Sequence, residues 1–256
     1  MRYVRFQIGS GIINTGIQNG DTIRRVEGSL FGPFRVTFEE YDLNSIRILP
    51  PLCPGKIVGI GANYRSFLDS MKREYPSRPK IFLKPSSSII AGGEDIICPD
   101  PTHVVTFEGE LGVVIGKPCS HVPEKNAMSY VFGYTCINDL TDRTMLEEDG
   151  IWTRGKGLDT FSPIGPCITD ETDGMDLMIE TRVNSRIMQH MSTADMYFSI
   201  PELISYISRH MTLLPGDLIA TGTPAGSGPL SIGDSVEVEI EGIGVLHNKM
   251  IERTGL

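Results

Sequence analysis

The chain is 256 residues long, 40% hydrophobic and 21% charged, with no long low-complexity or like-charge run, which excludes a disordered protein and allows a substantial core. Its net charge of −9 argues against a nucleic-acid or acidic-membrane partner, since either needs clustered Lys and Arg, and points to a small molecule. Five scattered cysteines without a CxxC pair argue against a disulfide frame or zinc site and suit a reducing cytoplasm, and the five histidines lack metal-motif spacing.

The opening MRYVRFQIGSG has no apolar signal core, and no later stretch reaches the length of a membrane span, so a soluble, cytoplasmic protein is expected. Residues 1 to about 50 alternate short β-like runs with Gly and Asn turn signals, then end in the breaker ILPPLCPG. We therefore expect a small N-terminal β domain over 1–52 and a larger domain over 53–256. In the second, KIVGIGANY, KIFLKPSSSII, DIICP, GELGVVIG and YVFGYTCIND are all short and rich in β-branched residues. Between the first two, NYRSFLDSMKREY predicts a helix with a thin apolar face (Phe67, Leu68, Met71), ended by Pro76, which suits a mobile surface helix or lid. SIPELISYISRHM predicts a packing helix, with Ser before Pro at its start and Leu203, Ile204, Ile207 and Met211 at helical spacing. GDLIATGTPAG and DSVEVEIEGIGVLHNKM return to strand, the latter alternating at Val236, Val238 and Ile240. The fold class is α+β, mostly β, with few short helices.

Within TFEGELGVVIG, residues 106–116, a single strand would point Glu108 and Glu110 the same way, so a cation or water should separate them. A third acid, Asp139, closes the strand YTCINDLTDR before a polar turn. Two Glu and one Asp without His or Cys suit a hard cation such as Mg²⁺ or Mn²⁺, with positions left for water or a chelating substrate. The alternative is that Glu108 faces solvent on an edge strand and Asp139 merely starts a turn; spacing alone leaves both open.

The succession GANY, IFLKPSSSIIAGG, FEGELGVVIG, GYTCINDLTDR, WTRGKGLDTFSPIGP, PGDLIATGTPAG and GDSVEVEIEGIG resembles the fumarylacetoacetate hydrolase superfamily over residues 56–250. The resemblance implies a fold of mixed β-sheets in a roll, a homodimer, and a divalent metal held by Glu108, Glu110 and Asp139. It also implies a substrate-facing Lys156, in the Gly-bracketed segment WTRGKG where backbone and ammonium can both approach an anion. In TGTPAGSG, the Thr223 hydroxyl and turn N–H groups can meet a carboxylate. Arg143 is a candidate carboxylate fork, and Tyr64 and Arg65 can cap the pocket. Without the flanking blocks, each of these would be an ordinary exposed or turn residue. Lys84 suits a structural or rim cation, and Trp152 an anchor for the Lys156 loop.

Two positions depart from the superfamily pattern. Many members carry a His after the NY motif and a Glu three residues on; here Phe67 and Ser70 stand there. Leu146 replaces a frequent substrate-contacting Gln. Hydrolysis of a C–C bond needs a base to activate water, and phenylalanine cannot take a proton. Asp69 and Glu74 could substitute only if the lid is displaced by a residue. A chelated 2-oxo or 2-hydroxy-ene diacid still gives an enolate, so isomerisation, tautomerisation or decarboxylation is expected ahead of acylpyruvate hydrolysis. The alternatives are the hydrolase itself or a catalytically silent relative that binds a metabolite. Lys156 is expected to relay a proton or stabilise charge, with a pKa lowered by burial near the metal.

Overall fold

The computed structural model describes residues 1–253; the last three residues of the expected second domain lie outside the described residues. Short β-branched runs interrupted by Gly and Pro produce a chain of strands. The largest sheet runs in the order Phe34–Asp42, Thr22–Gly28, Ile13–Asn19, Arg2–Gln7, Ser162–Thr169, Val131–Asn138, Gly109–Ile115, Leu218–Ala220, Ile57–Gly61 and Lys80–Lys84. Its first four strands are an antiparallel meander, and Arg2–Gln7 joins Ser162–Thr169 through Arg2↔Thr169 and Tyr3↔Ile168. The N-terminal strands thus extend the main sheet.

A second sheet orders Arg186–Ser192, Met178–Val183, Ser235–Ile240, Gly244–Glu252 and Asp95–Cys98. Here the predicted alternation is observed, with Val236, Val238 and Ile240 buried and Glu237 and Glu239 partly exposed. One core cluster combines Leu111, Val113 and Cys136 of the first sheet with Ile179, Val238 and Leu246 of the second, so the two sheets share their apolar faces. A small third sheet joins Thr141–Asp142, Val105–Phe107 and Gly228–Leu230. No described helix is long and apolar enough to cross a membrane.

The predicted packing helix spans Ile200–His210. Ser199 caps it in a reciprocal box with Glu202, and Leu203, Ile204 and Ile207 are buried. The predicted lid helix is shorter than its sequence suggested, spanning only Arg65–Ser70. It stops well before Pro76 because Lys72 turns into the left-handed region (φ 49°), where the Arg73 N–H returns to the Leu68 carbonyl at 2.9 Å. Only Leu68 of this helix is buried, so little apolar contact favours a further turn. A helix over Arg143–Asp149 was not anticipated. Asp142 caps its start through Met145 N–H, and Gly150 ends it in the left-handed conformation.

Two glycines of KIVGIGANY shape the surface beside the lid. A Cβ on Gly59 would lie 2.1 Å from the Phe82 ring, and one on Gly61 would lie 2.4 Å from Trp152. Phe82 and Trp152 fill that space edge to face, their centroids 5.1 Å apart. Gly59→Ala must displace a packed ring, and we expect it to destabilise the fold by about 1–3 kcal/mol, lowering Tm by roughly 2–12 °C in thermal unfolding.

Candidate active site

The glutamate pair does not lie on one continuous strand. The chain leaves the small sheet after Phe107 and enters the large one at Gly109, so Glu108 sits at the crossing. Asn138 holds that crossing open: its Oδ1 accepts the Glu108 N–H at 3.0 Å, and the Asp139 N–H donates to the Glu108 carbonyl at 2.9 Å. Gly109 is required there because a Cβ would lie 2.1 Å from Thr181 Oγ1, and its N–H donates to Gln189 Oε1 at 3.0 Å. The two backbones consequently bring the strand ends together. Glu108, Glu110 and Asp139 are all buried, and each offers a carboxylate oxygen within 4.8 Å of the others. The solvent-facing alternative for Glu108 is ruled out.

Two buried ammonium groups answer this negative charge. Lys84 Nζ donates to Asp139 Oδ1, to the Leu140 carbonyl at 3.1 Å and to the Phe161 carbonyl at 2.9 Å, which uses all three of its protons. It is a structural cation, with no place at the rim. Lys156 Nζ donates to Asp139 Oδ2 at 2.6 Å and Glu108 Oε2 at 3.1 Å, and lies 4.9 Å from the Phe82 ring centre. Arg143 Nη2 meets Glu108 Oε1 at 2.9 Å, where Thr141 Oγ1 also donates at 3.2 Å.

These contacts divide the acids electrostatically. Burial works to raise the Asp139 pKa, but the ammoniums of Lys156 and Lys84 outweigh it and hold the carboxyl below its ordinary range. Burial drives Glu110 well above the ordinary range, and the charges of Asp139 and Glu108 add to the effect; the Lys156 charge and then the Gly222 N–H, at 2.8 Å from Oε2, only partly offset it. Burial depresses Lys84, with Asp139 opposing. For Lys156, burial is outweighed by Asp139 and Glu108, so its pKa is raised, contrary to the expected lowering.

A cleft of about 110 Å³ opens onto this cluster, with Glu108, Arg143 and Lys156 at its polar end. Phe67, Phe82, Leu146 and Trp152 form apolar walls. Phe67 therefore faces the cleft, whereas the Ser70 hydroxyl bonds back to the Phe67 carbonyl at 2.8 Å. Asp69 is exposed and accepts the Tyr75 hydroxyl, and neither it nor Glu74 lines the cleft.

Other expected positions are differently placed. Lys156 ends a one-turn helix, Thr153–Lys156, and its glycines serve packing: a Cβ on Gly155 would lie 2.6 Å from the Asp142 carbonyl. Trp152 does line the Lys156 side of the cleft. Tyr64 is fully buried and so forms no cap; burial first, then the Glu110 charge, raises its pKa well above normal. Arg65 turns away to the Met196 carbonyl at 2.5 Å and toward the Tyr197 ring. The Thr223 hydroxyl is spent inside the fold, donating to the Gly109 carbonyl at 2.9 Å and accepting from Gln189 Nε2 at 2.7 Å. Sequence reasoning passed over Asn63, Asn138 and Gln189. Asn63 joins the lid base to two loops, through the Thr221 carbonyl and both polar backbone groups of Phe198.

The donor set fits a hard divalent cation. The three carboxylates are all-oxygen donors on one buried spot, and Glu110 has no cationic partner among the described residues, only the Gly222 N–H.

Known proteins carry the same architecture. Residues 56–251 match the fumarylacetoacetate (FAA) hydrolase C-terminal family, and residues 1–51 match the Rv2993c-like N-terminal family. The oxaloacetate tautomerase YisK of Bacillus subtilis is 39% identical over 226 residues, covering 82% of this chain and 75% of its own. The 2-hydroxyhepta-2,4-diene-1,7-dioate isomerase of Mycobacterium marinum superposes with TM-score 0.91 at 38% identity, covering 100% of both chains. Maleylpyruvate hydrolase of Sphingobium sp. SYK-6, solved with manganese (II) and pyruvate, superposes with TM-score 0.83 at 27% identity, covering 99% of this chain and 100% of its own. With a family match across most of its length and relatives that share the whole fold, the chain belongs to the fumarylacetoacetate hydrolase family.

Proposed function

We propose that this protein is a homodimeric, Mg²⁺- or Mn²⁺-dependent enzyme that acts on a 2-oxo or 2-hydroxy-ene diacid through its enolate, by isomerisation, tautomerisation or decarboxylation in preference to C–C bond hydrolysis. The observation that carries this is the composition of the cleft wall. Phe67 stands where a lid base would, and among the described lining residues Glu108 is the sole carboxylate and no histidine occurs. The named relatives include isomerases and tautomerases as well as hydrolases, so the preference rests on the cleft wall.

Glu108, Glu110 and Asp139 would hold the ion. When bound, a divalent cation supplies Lewis-acid polarisation of a 2-oxo acid. Arg143, at the polar end of the cleft, orients the substrate carboxylate with its planar guanidinium. Lys156 keeps its proton because Asp139 and Glu108 favour the ammonium, so Nζ stabilises developing negative charge and donates a proton to it. The rings of Phe67, Phe82 and Trp152 exclude water, which strengthens these charges and withholds a nucleophile.

Saturating Mg²⁺ or Mn²⁺, at about 100 times Kd, should stabilise the metal-free protein by about 2.7 kcal/mol, visible as a Tm rise of roughly 5–11 °C that Asp139→Asn and Glu110→Gln abolish. Glu110→Gln should also melt higher than wild type without metal near neutral pH, because the raised Glu110 pKa makes folding take up a proton that an amide does not need, while the amide keeps an acceptor for Gly222; equal metal shifts in all three proteins would refute the carboxylate assignment. In metal-supplemented turnover of acylpyruvates, oxaloacetate and unsaturated 2-hydroxy diacids, enol–keto conversion or CO₂ release should exceed acylpyruvate cleavage. Lys156→Ala should lose at least roughly 100-fold in kcat with metal binding retained. Phe67→His with Ser70→Glu should raise acylpyruvate hydrolysis, and a wild type that already hydrolyses acylpyruvates fastest would overturn the preference.

A further inference from the structure

The mouth of the cleft has a charge pattern that the chemistry at its floor does not require. In a chain of net charge −9, four cationic side chains and one carboxylate line this cleft. The inner cations, Arg143 and Lys156, are already bonded to that carboxylate, Glu108. The outer two, Arg73 and Lys80, are exposed and have no acidic partner among the described residues. Two unpaired cations on one small concavity repel each other and attract an anion.

Both are held by structure deeper in the site. Lys80 begins the strand Lys80–Lys84, opposite Gly61, so Lys80, Phe82 and Lys84 share one face. That face descends from the exposed Lys80, past the Phe82 ring on the cleft wall, to Lys84 bonded to Asp139. At about 3.4 Å per residue, mouth and floor are separated by roughly 13 Å of backbone, a gap that two long side chains reaching inward can shorten to the span of a small diacid. Arg73 follows the lid turn, its N–H anchored on the Leu68 carbonyl and its guanidinium 6.0 Å from the Phe67 ring centre. Phe67 thus supports a cation at the position where a base would otherwise stand.

We infer that Arg73 and Lys80 form a second anion subsite that reads the distal carboxylate of the substrate, with Phe67 positioning Arg73. The inference rests on the cleft floor binding the 2-oxo acid head. Its consequence is selectivity: a 2-oxo diacid satisfies both ends of the cleft, whereas a 2-oxo monoacid with an apolar tail leaves the mouth cations uncompensated.

Binding to the Mn²⁺-loaded full-length protein, followed by titration calorimetry, separates the two ends. Oxalate reports the head alone, 2-oxoglutarate supplies a distal carboxylate, and 2-oxopentanoate has the same chain length without one. Wild type should prefer 2-oxoglutarate over 2-oxopentanoate by roughly tenfold or more, and the preference should shrink at high salt. Arg73→Ala with Lys80→Ala should bring it to near unity while the oxalate Kd stays within about twofold, which also shows the fold intact; Arg73→Lys should restore part of it, and Phe67→Leu should reduce it. A preference that survives the double variant, or a wild type that shows none, overturns the subsite while leaving the head site standing. Failure of oxalate to bind wild type overturns the head-site reading and this inference with it.

Discussion

Keeping three carboxylates together inside the protein is the constraint on which the rest of this structure depends. Two like charges 4.8 Å apart repel by about 3 kcal/mol at an effective dielectric constant near 20, before any cost of burial. The fold meets this unevenly. Asp139 lies between two ammoniums, Glu108 has Lys156 and Arg143, and Glu110 has a neutral N–H. Lys84 is fully bonded and inaccessible, so its task is to keep Asp139 ionised and fixed. Lys156 lies at the cleft surface and is the cation able to exchange its partners for a ligand. The difference in their surroundings, more than their shared chemistry, separates an enclosed lysine from one that faces the cleft.

Neutral polar side chains tie the backbone pieces of the site together. Gln189 joins Gly109 to the Thr223–Pro224 turn, accepting with its oxygen and donating twice with its nitrogen. Asn63 performs a similar task on the other side, linking the strand end below the lid to Thr221 and Phe198. Between them Gly222, at φ 96°, brings its N–H against Glu110; a Cβ there would lie 2.8 Å from Asn63 Cβ. Such networks are stabilising only when their buried atoms are satisfied, and both amides here use their oxygen and nitrogen. The acids are therefore held by main chain that is itself fixed from several directions.

Local patterns made part of this legible in the sequence. Alternation exposed the strands, Ser199 before Pro201 marked the long helix, and three acids at strand ends suggested an oxygen-ligand site because no nearby histidine competed for the role. The rest depended on contacts between distant segments. Nothing local distinguishes Thr223 as a hydroxyl spent on Gly109 from one offered to a ligand, or Lys84 as buried rather than marginal. Glu108 looked like part of a continuous strand because the crossing between sheets is created by Asn138 and Gln189, 30 and 80 positions away. The Arg143–Asp149 helix had readable punctuation in Asp142 and Gly150, but its stretch has no buried residue and so lacked the apolar periodicity that would announce it. Tyr64 and Arg65 were expected to cap the pocket from their place in GANYRS; long-range contacts decide otherwise, with Tyr64 fully buried in the core and Arg65 drawn away to the Met196 carbonyl.

The short lid also explains how one protein can combine a rigid floor with an adaptable mouth. The floor is made of strand ends tied by buried hydrogen bonds, and removing one partner of the buried Lys84–Asp139 or Lys156–Asp139 pair leaves a charge less well balanced, a loss of up to about 3–5 kcal/mol. The lid is a six-residue helix with one buried anchor, Leu68, followed by an exposed segment that carries Arg73. Substitutions there change the cleft wall at little cost to the fold, since their side chains are partly or fully exposed. Phe67 lies at the junction: partly buried against the core, it faces the cleft and lies near the Arg73 guanidinium. A histidine at that position would exchange an apolar wall and a cation support for a proton acceptor. Under the proposed chemistry, the fixed arrangement of acids and lysines would serve different reactions according to the lid side, by whether that residue admits and activates water or excludes it.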